Sequence, residues 1–247
     1  MFEAPKFWYQ KNLSSKILSV LFFPLSLLWI VISLLKKKSI KQYKSKLKVI
    51  CIGNLTVGGT GKTPFAIYTY KLLKELGYKP VFLTRGYGGL LKGPIEVTDR
   101  HDYKKVGDEA LLLNKIGPTI VSKDRSLGAK LIEKHEDNFN VIIMDDGLQN
   151  YQLEQDIKFL LVDKNLKFGN EFCIPAGPLR EPIDQSLIRI DAIVVTGNNN
   201  KDADFNNIQN KPIFSTKVKI VKVPKIKKKR LLAFCGLANS NKFYETL

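Results

Sequence analysis

Residues 53–65 read GNLTVGGTGKTPF, and this stretch decides the fold. Within it, Thr56–Thr63 follows the phosphate-loop pattern G-x-x-x-x-G-K-[ST], except that Thr56 replaces the first glycine. A short β-rich run, Leu47–Ile52, precedes the loop, and a helical pattern of apolar residues follows it as far as Gly77. A strand, a glycine-rich loop and a helix in this order predict a P-loop α/β domain: a mostly parallel sheet with helices on both faces.

The residue types of this loop suit a nucleotide's phosphates. Glycines let consecutive backbone N–H groups curl towards a phosphate, and the start of the following helix adds a partial positive charge. Lys62 is placed to reach the β- and γ-phosphates, and the hydroxyl of Thr63 is placed to ligate Mg²⁺. We therefore predict ATP and Mg²⁺ as cofactors, since a chance glycine-rich turn does not explain the flanking elements. The predicted nucleotide-binding residues are Thr56, Val57, Gly58, Gly59, Thr60, Gly61, Lys62 and Thr63.

A second segment, 140–147, reads NVIIMDDG and supplies acidic residues. Its apolar run, Val141–Met144, is typical of a buried parallel strand, and Asp145 and Asp146 follow directly. Ligands of open α/β sheets bind at the carboxyl ends of the strands, so both acids are expected beside Mg²⁺, with Thr63. A plain Asp-Gly turn is the alternative.

Further polar candidates allow two interpretations each. Asp108 and Glu109 open a predicted helix, where acids serve either a reaction or the helix dipole. Arg85 and Arg125 each follow an apolar run and are suited either to clamp phosphate or to pair with acids.

Near the N-terminus, Ile17–Leu35 contains no charged residue and is long enough to cross a hydrocarbon core as a helix. Seven lysines follow between Lys36 and Lys48 without an acid, which indicates contact with anionic lipid headgroups on the cytoplasmic side. Pro24 and the borderline length leave open whether the helix spans the bilayer or lies in one leaflet. A buried core helix followed by a solvated linker is the alternative.

The amino-acid composition restricts the kind of partner that the protein is expected to bind. Lys and Arg number 40 against 23 Asp and Glu, a formal charge of +17 that favours an anionic partner. We expect no nucleic acid, because no aromatic-basic or DNA-binding pattern accompanies that charge. The three cysteines are far apart and predict neither a disulfide framework nor a zinc site.

Several motifs together resemble the tetraacyldisaccharide 4′-kinase family, the lipid A 4′-kinases. The resemblance begins at PKFW near the N-terminus, continues through GNLTVGGTGKTP and reaches FCGLANSNKFYETL at the end. The other motifs are TRGYGG at Thr84–Gly89, VGDEA at Val106–Ala110, DDGLQ at Asp145–Gln149 and PAGPLREP at Pro175–Pro182.

The resemblance implies an activity and roles for particular residues. It implies a phosphotransferase that uses ATP to phosphorylate the 4′-hydroxyl of a tetraacyl glucosamine disaccharide 1-phosphate, at the cytoplasmic face of a bacterial inner membrane. The acylated disaccharide and an anionic membrane surface are then the expected partners, and the oligomeric state stays open. By the same resemblance Asp108 activates the attacking hydroxyl, and Lys62, Asp145 and Asp146 complete the catalytic set. The resemblance also implies that Glu109, Arg125 and Glu181 lie around the site, and we expect Arg85 and Asn239 there as well.

The sequence also departs from the family. Asn150 stands where a histidine usually follows DDGLQ, and Asn239 lies where some members carry a histidine that supports the catalytic Asp. Members normally continue past FYETL into a smaller second domain. We accordingly interpret 1–46 as a membrane helix with a basic linker, 47–223 as the kinase core, and 224–247 as the start of a truncated C-terminal domain.

Two rival functions are weighed against the kinase. A partition-type membrane-associated P-loop ATPase shares the GGTGKT loop, but such proteins carry a lysine directly before the Gly-Gly pair, where this chain has Val57. A truncated, inactive remnant of the kinase is the other alternative. A kinase assay with the acceptor distinguishes this remnant from an active kinase.

Overall fold

A computed structural model describes residues 4–197 and 211–217. The core is an eight-stranded sheet in the order β3-β4-β2-β5-β1-β6-β7-β8, in which only the β3–β4 pair is antiparallel. The strands are β1 Lys48–Gly53, β2 Pro80–Thr84, β3 Ile95–Glu96, β4 Thr119–Val121, β5 Val141–Asp145, β6 Ile157–Asp163, β7 Ala192–Thr196 and β8 Ile213–Thr216. The predicted class, a mostly parallel P-loop α/β sheet, is confirmed.

Helices precede the first strand and lie in several of the connections between strands. They are α1 Leu13–Ser39, α2 Lys62–Glu75, α3 Tyr103–Val106, α4 Asp108–Asn114, α5 Arg125–Ile132 and α6 Ile183–Leu187, with a 3₁₀ turn at Lys6–Trp8. Parallel neighbouring strands need crossover connections, because the chain must return to the same end of the sheet before each new strand begins.

Both faces of the sheet are buried, which explains why its strands read as continuous apolar runs. In β5, Ile142 and Met144 point to one face and join a cluster that includes Ala129 of α5. Ile143 points to the other face and packs with Ala66 of α2. Helices therefore cover the sheet on both sides, and the loops at the carboxyl ends of the strands are left to form a site.

Helix α1 packs against the core with its polar side. Its fully buried residues are serines, Ser15, Ser19 and Ser26. The hydroxyl of Ser26 donates to the carbonyl oxygen of Cys173 at 2.7 Å and accepts from the backbone N–H of Ala176 at 3.1 Å. Most of its leucines, isoleucines and valines are instead exposed.

By length and composition, α1 is the one helix of the described residues that could cross a membrane, with a mean hydropathy of 2.5 over its most apolar window. Only 11% of that window is buried, so the alternative of a buried core helix does not hold. The helix runs through Pro24 and extends beyond the predicted Ile17–Leu35 at both ends.

The predicted boundary between residues 223 and 224, and with it Asn239, lies outside the described residues. Within them, the β-rich run Leu47–Ile52 is present as strand β1, Lys48–Gly53, and the strand predicted at Val141–Met144 is present as β5, longer by one residue. The basic stretch after α1 is tied to the core, since Tyr43 forms a bridge with Leu153.

Candidate active site

The phosphate loop connects the end of β1 to the start of α2. Two of its glycines have positive φ, 123° at Gly58 and 85° at Gly61, where a side chain would strain the backbone. Thr56 does not adopt a positive φ and is buried against Leu179, with which it forms an antiparallel bridge. The glycine missing from the motif is thus at a position whose backbone does not require one.

Asn54, which we did not predict, holds this loop from within. Its side-chain amide donates to the carbonyl oxygens of Thr56, at 2.8 Å, and Gly58, at 3.3 Å. Its Oδ1 accepts from Nζ of Lys62 at 3.2 Å. A fully buried asparagine beside the glycines therefore fixes both the loop and its lysine.

The two aspartates lie directly beside the loop, because β5 pairs with β1 and Asp145 is in register with Ile52. The hydroxyl of Thr63 donates to Oδ2 of Asp145 at 3.1 Å. Nζ of Lys62 lies 3.6 Å from Oδ1 of Asp146. Asp146 has a φ of 52°, a conformation that aspartate tolerates better than most residues.

The neighbouring carboxyls have opposite pKa shifts. Burial raises the pKa of Asp145 to about 7, and the nearby charges of Glu109 and Asp146 raise it further than Lys62 lowers it. Burial also opposes ionisation of Asp146, but Lys62 and Arg180 outweigh it and hold the pKa of Asp146 below its ordinary value. Asp146 is thus the carboxylate that forms ion pairs with Lys62 and Arg180, whereas for Asp145 burial and the neighbouring acids outweigh the attraction of Lys62.

The residues at this point fit a magnesium ion. Oδ1 of Asp145 is buried and has no hydrogen-bond partner within the described part of the chain. That part holds no group of three or more His, Cys, Asp or Glu side chains able to bind a metal. Mg²⁺ commonly uses one or two carboxylates together with substrate phosphates and water, so Asp145 with the hydroxyl of Thr63 matches its needs.

The segment Pro175–Pro182 supports the phosphate loop from outside. The carbonyl oxygen of Pro178 accepts from the backbone N–H of Val57 at 2.9 Å, and the backbone N–H of Arg180 donates to Leu55 at 2.7 Å. The conspicuous PAGPLREP motif is therefore structural support for the nucleotide loop.

Arg180 and Gln149 link this segment to the acids, and neither was predicted as a site residue. Arg180 donates to Asp146 at 2.9 Å and to Oε1 of Gln149 at 3.2 Å. Gln149 donates in turn to Glu181 at 3.0 Å, and Tyr151 donates to the same carboxylate at 3.0 Å. The predicted Glu181 thus orients its neighbours.

Asp108 and Glu109 begin α4 after Gly107, whose φ is 87°. A Cβ at Gly107 would meet the carbonyl oxygen of Tyr87 at 2.3 Å, so this approach requires glycine. Asp108 is exposed, and its Oδ1 accepts from the backbone N–H of Glu109 at 3.0 Å. Burial raises the pKa of Glu109, which lines the active-site cavity.

That cavity has a volume of about 630 Å³ and opens beside the two aspartates. Arg85, which is exposed, and Arg125, which is 2% exposed, both line it. Burial, followed by the nearby charge of Arg85, lowers the pKa of Arg125 to about 10. Two guanidinium groups and a nucleotide loop at one opening suit an anionic substrate.

The loop geometry and its acidic neighbours place the chain in the class of P-loop nucleotide-binding phosphotransferases. Residues 18–247 match the model of the tetraacyldisaccharide-1-P 4′-kinase family. The chain belongs to this family. Membership confirms the predicted phosphotransferase with an alcohol acceptor in lipid A biosynthesis and does not favour the partition-type ATPase.

Comparisons with individual relatives support the same family assignment. The chain is 41% identical to the tetraacyldisaccharide 4′-kinase of Paramagnetospirillum magneticum over 99% of its own length and 74% of the relative's. It is 37% identical to the enzyme of the same name from Allorhizobium ampelinum, covering 71% of it. A crystal structure of LpxK from Aquifex aeolicus in complex with ATP matches with 31% identity and a TM-score of 0.66. That match covers 80% of this chain and 64% of the LpxK chain.

Proposed function

We propose that this chain transfers the γ-phosphate of ATP to the 4′-hydroxyl of a tetraacyl disaccharide 1-phosphate at a membrane surface. The single observation that supports it most is the meeting of Lys62 and Thr63 with Asp145 and Asp146 at one end of the cavity. A nucleotide loop beside a cavity of this size can hold donor and acceptor together.

The loop residues have defined roles in this proposal. The backbone N–H groups of Thr56–Thr63 and the start of α2 bind the β- and γ-phosphates, and Asn54 keeps Nζ of Lys62 directed at them. Thr63 and Asp145 would hold Mg²⁺, which neutralises charge developing on the transferred phosphate. Asp146, already paired with Arg180, positions Lys62.

The acceptor side carries the proton transfer. We assign activation of the attacking hydroxyl to Asp108, at the N-terminus of α4, whose neighbour Glu109 lines the cavity. Glu109 lies close enough to Lys62 and Asp146 for their charges to influence its pKa, so the start of α4 faces the phosphate loop. Arg85 and Arg125 are then placed to bind anionic parts of either substrate.

The membrane interpretation is supported by the orientation of α1. A helix that spans the bilayer would extend away from the domain. In contrast, α1 contacts the domain along its length: Ser19 accepts a hydrogen bond from Asn170, and Nζ of Lys37 lies over the ring of Tyr151. Its apolar side chains are exposed along the same length. We propose that α1 lies in one leaflet, at the cytoplasmic face of the inner membrane, with the cavity at the headgroup level.

The test is direct. The chain is incubated with γ-labelled ATP, Mg²⁺ and a tetraacyl disaccharide 1-phosphate in detergent micelles, and the labelled position is determined by mass spectrometry or NMR. Label at the 4′-oxygen is the expected result, and Lys62→Ala is the control. ATP hydrolysis of equal rate with and without acceptor, and no labelled lipid, would contradict the proposal.

A further inference from the structure

Three lysines line the active-site cavity away from the phosphate loop. They are Lys36 near the end of α1, Lys92 in the loop before β3 and Lys123 in the loop after β4. The last two are adjacent, because the backbone N–H of Lys123 donates to the carbonyl oxygen of Lys92 at 2.7 Å. We call these three residues the lysine rim.

The sheet order places the lysine rim at a definite distance from the reacting groups. Asp145 ends β5, whereas Lys123 follows β4, and β2 lies between the two strands. Neighbouring strands are about 4.8 Å apart, so the two loops are separated by roughly 10 Å across the sheet edge. That separation is on the scale of two linked sugar rings.

The lysines of the rim form no ion pairs with the described residues of the protein. No carboxylate among the described residues lies within ion-pair distance of Lys36, Lys92 or Lys123. The acid nearest in sequence, Asp124, is engaged elsewhere, since its Oδ1 accepts from the backbone N–H of Ser126 at 2.9 Å. Asp124 also lines the cavity, but it is a single acid against three lysines, so the lysine rim gives its part of the cavity a net positive charge.

We infer that the lysine rim binds the phosphate at the reducing end of the acceptor while the hydroxyl at the other end meets ATP. This inference rests on the proposed function. The matched family is named for a disaccharide that carries its phosphate at position 1 and is phosphorylated at 4′, on the other sugar. With the 4′-hydroxyl beside Asp108 and Asp145, the sugar nearer β4 brings its phosphate monoester to Lys92 and Lys123.

Anionic bilayer headgroups offer lysines the same phosphate chemistry, and Lys36 lies on the helix that we place in the membrane. The test therefore changes only Lys92 and Lys123 and uses micelles of neutral detergent, which carry no competing charge. Lys92→Gln with Lys123→Gln is the variant. Lys71→Gln with Lys74→Gln, two exposed lysines on α2 that do not line the cavity, is the charge-matched control.

Equilibrium binding to micelles that contain the disaccharide 1-phosphate is compared with binding to micelles that contain the same disaccharide without its phosphate. The rim variant is expected to weaken binding of the 1-phosphate form by about three- to tenfold, as for two exposed ion pairs. Binding of the dephosphorylated form and binding by the control should not change.

Equal loss for both acceptors, or no loss for either, would overturn the inference. Because binding is measured without turnover, the result is independent of the kinase assay. If the unaltered chain labels no acceptor, the proposed activity fails, and the binding comparison still decides whether the rim recognises the phosphate.

Discussion

The hydroxyl of Thr63 donates to Oδ2 of Asp145 across 3.1 Å, and this bond joins the first turn of α2 to the carboxyl end of β5. The two residues are far apart in the chain but adjacent in the sheet, because β1 and β5 are hydrogen-bonded neighbours. The bond leaves Oδ1 of Asp145 buried without a partner among the described residues. A cation there would satisfy both oxygens.

Replacing Lys62 by alanine should abolish phosphoryl transfer. The ammonium group of Lys62 is bound to polar groups of the site, Asn54 and Asp146, so we expect turnover to fall by at least about 100-fold with little change in the unfolding temperature. Lys71→Ala, an exposed lysine on the same helix, is the control. Undiminished activity in Lys62→Ala would remove the basis of the nucleotide assignment.

Asp145 should make stability depend on pH when Mg²⁺ is absent. Its pKa is about 7 in the fold against an ordinary value of 3.8, so between these values the folded protein holds a proton that the unfolded chain has lost. This stabilising effect is complete below about pH 4 and is lost as pH rises to about 7, at roughly 1.4 kcal/mol per pH unit.

The measurement is urea unfolding at several pH values without Mg²⁺ or nucleotide. Asp145→Asn should flatten the profile in this window and be more stable than the parent above pH 7, whereas Asp99→Asn, an exposed acid, should leave the profile unchanged. Parallel profiles for parent and Asp145→Asn would show that Asp145 is not buried as an isolated acid. With the parent, Mg²⁺ affinity should weaken as pH falls below 7, because protons compete for the same oxygens.

Arg180→Ala should lower kcat/KM by about 10- to 100-fold, since it removes charge-assisted hydrogen bonds to Asp146 and to Gln149. The pKa of Asp146 should rise at the same time, because Arg180 is one of the charges that lowers it. The acidic limb of the pH–rate profile is then expected to move to higher pH. Arg100→Ala, on the surface, is the comparison, and identical profiles for both variants would contradict the role.

Asp108→Ala should lower kcat by about 100-fold and change the KM for ATP less than twofold, as expected for a group that only accepts the hydroxyl proton. Asp108 is exposed, and its Oδ1 accepts from the backbone N–H of Glu109 in its own helix, which favours this split. Steady-state kinetics with varied ATP give both constants. A comparable loss in both would recast Asp108 as a residue that merely caps α4.

Leu21→Asp together with Leu28→Asp should release the protein from lipid vesicles without unfolding it. Both side chains are more than half exposed, so their loss costs no core packing, but two charges oppose insertion of the helix. Vesicle sedimentation should show at least a tenfold weaker association. Gln185→Asp with Asn138→Asp adds the same charge elsewhere on the surface, and equal release by that control would argue for electrostatics alone.

Local sequence patterns were sufficient for the central strands and for half of the site. Lys62 and Thr63 are fixed by a motif, and Asp145 follows an apolar run long enough to be buried on both faces. The two-residue edge strand β3 was not predicted, because Ile95–Glu96 is too short to show a period. Strand β8 was not predicted either, because its side chains are largely exposed.

The partners of the acids could not be derived from spacing. Arg180 is 34 positions from Asp146, and only the folded PAGPLREP segment brings them together. Asn54 lay within the quoted motif, but its two amide bonds depend on the curl of the loop. The serines of α1 likewise read as interruptions of an apolar helix until their partners at Cys173 and Asn170 are known.

The serine contacts of α1 have a mechanical consequence. The hydroxyl of Ser26 is hydrogen-bonded to the backbone of Cys173 and Ala176. Two residues further on, the carbonyl oxygen of Pro178 accepts from the backbone N–H of Val57. A single short support therefore carries the helix on one side and the phosphate loop on the other. If α1 lies in one leaflet, as proposed, this support holds the phosphate loop at a constant height above the helix, and a lipid-anchored sugar then needs only lateral movement to reach it.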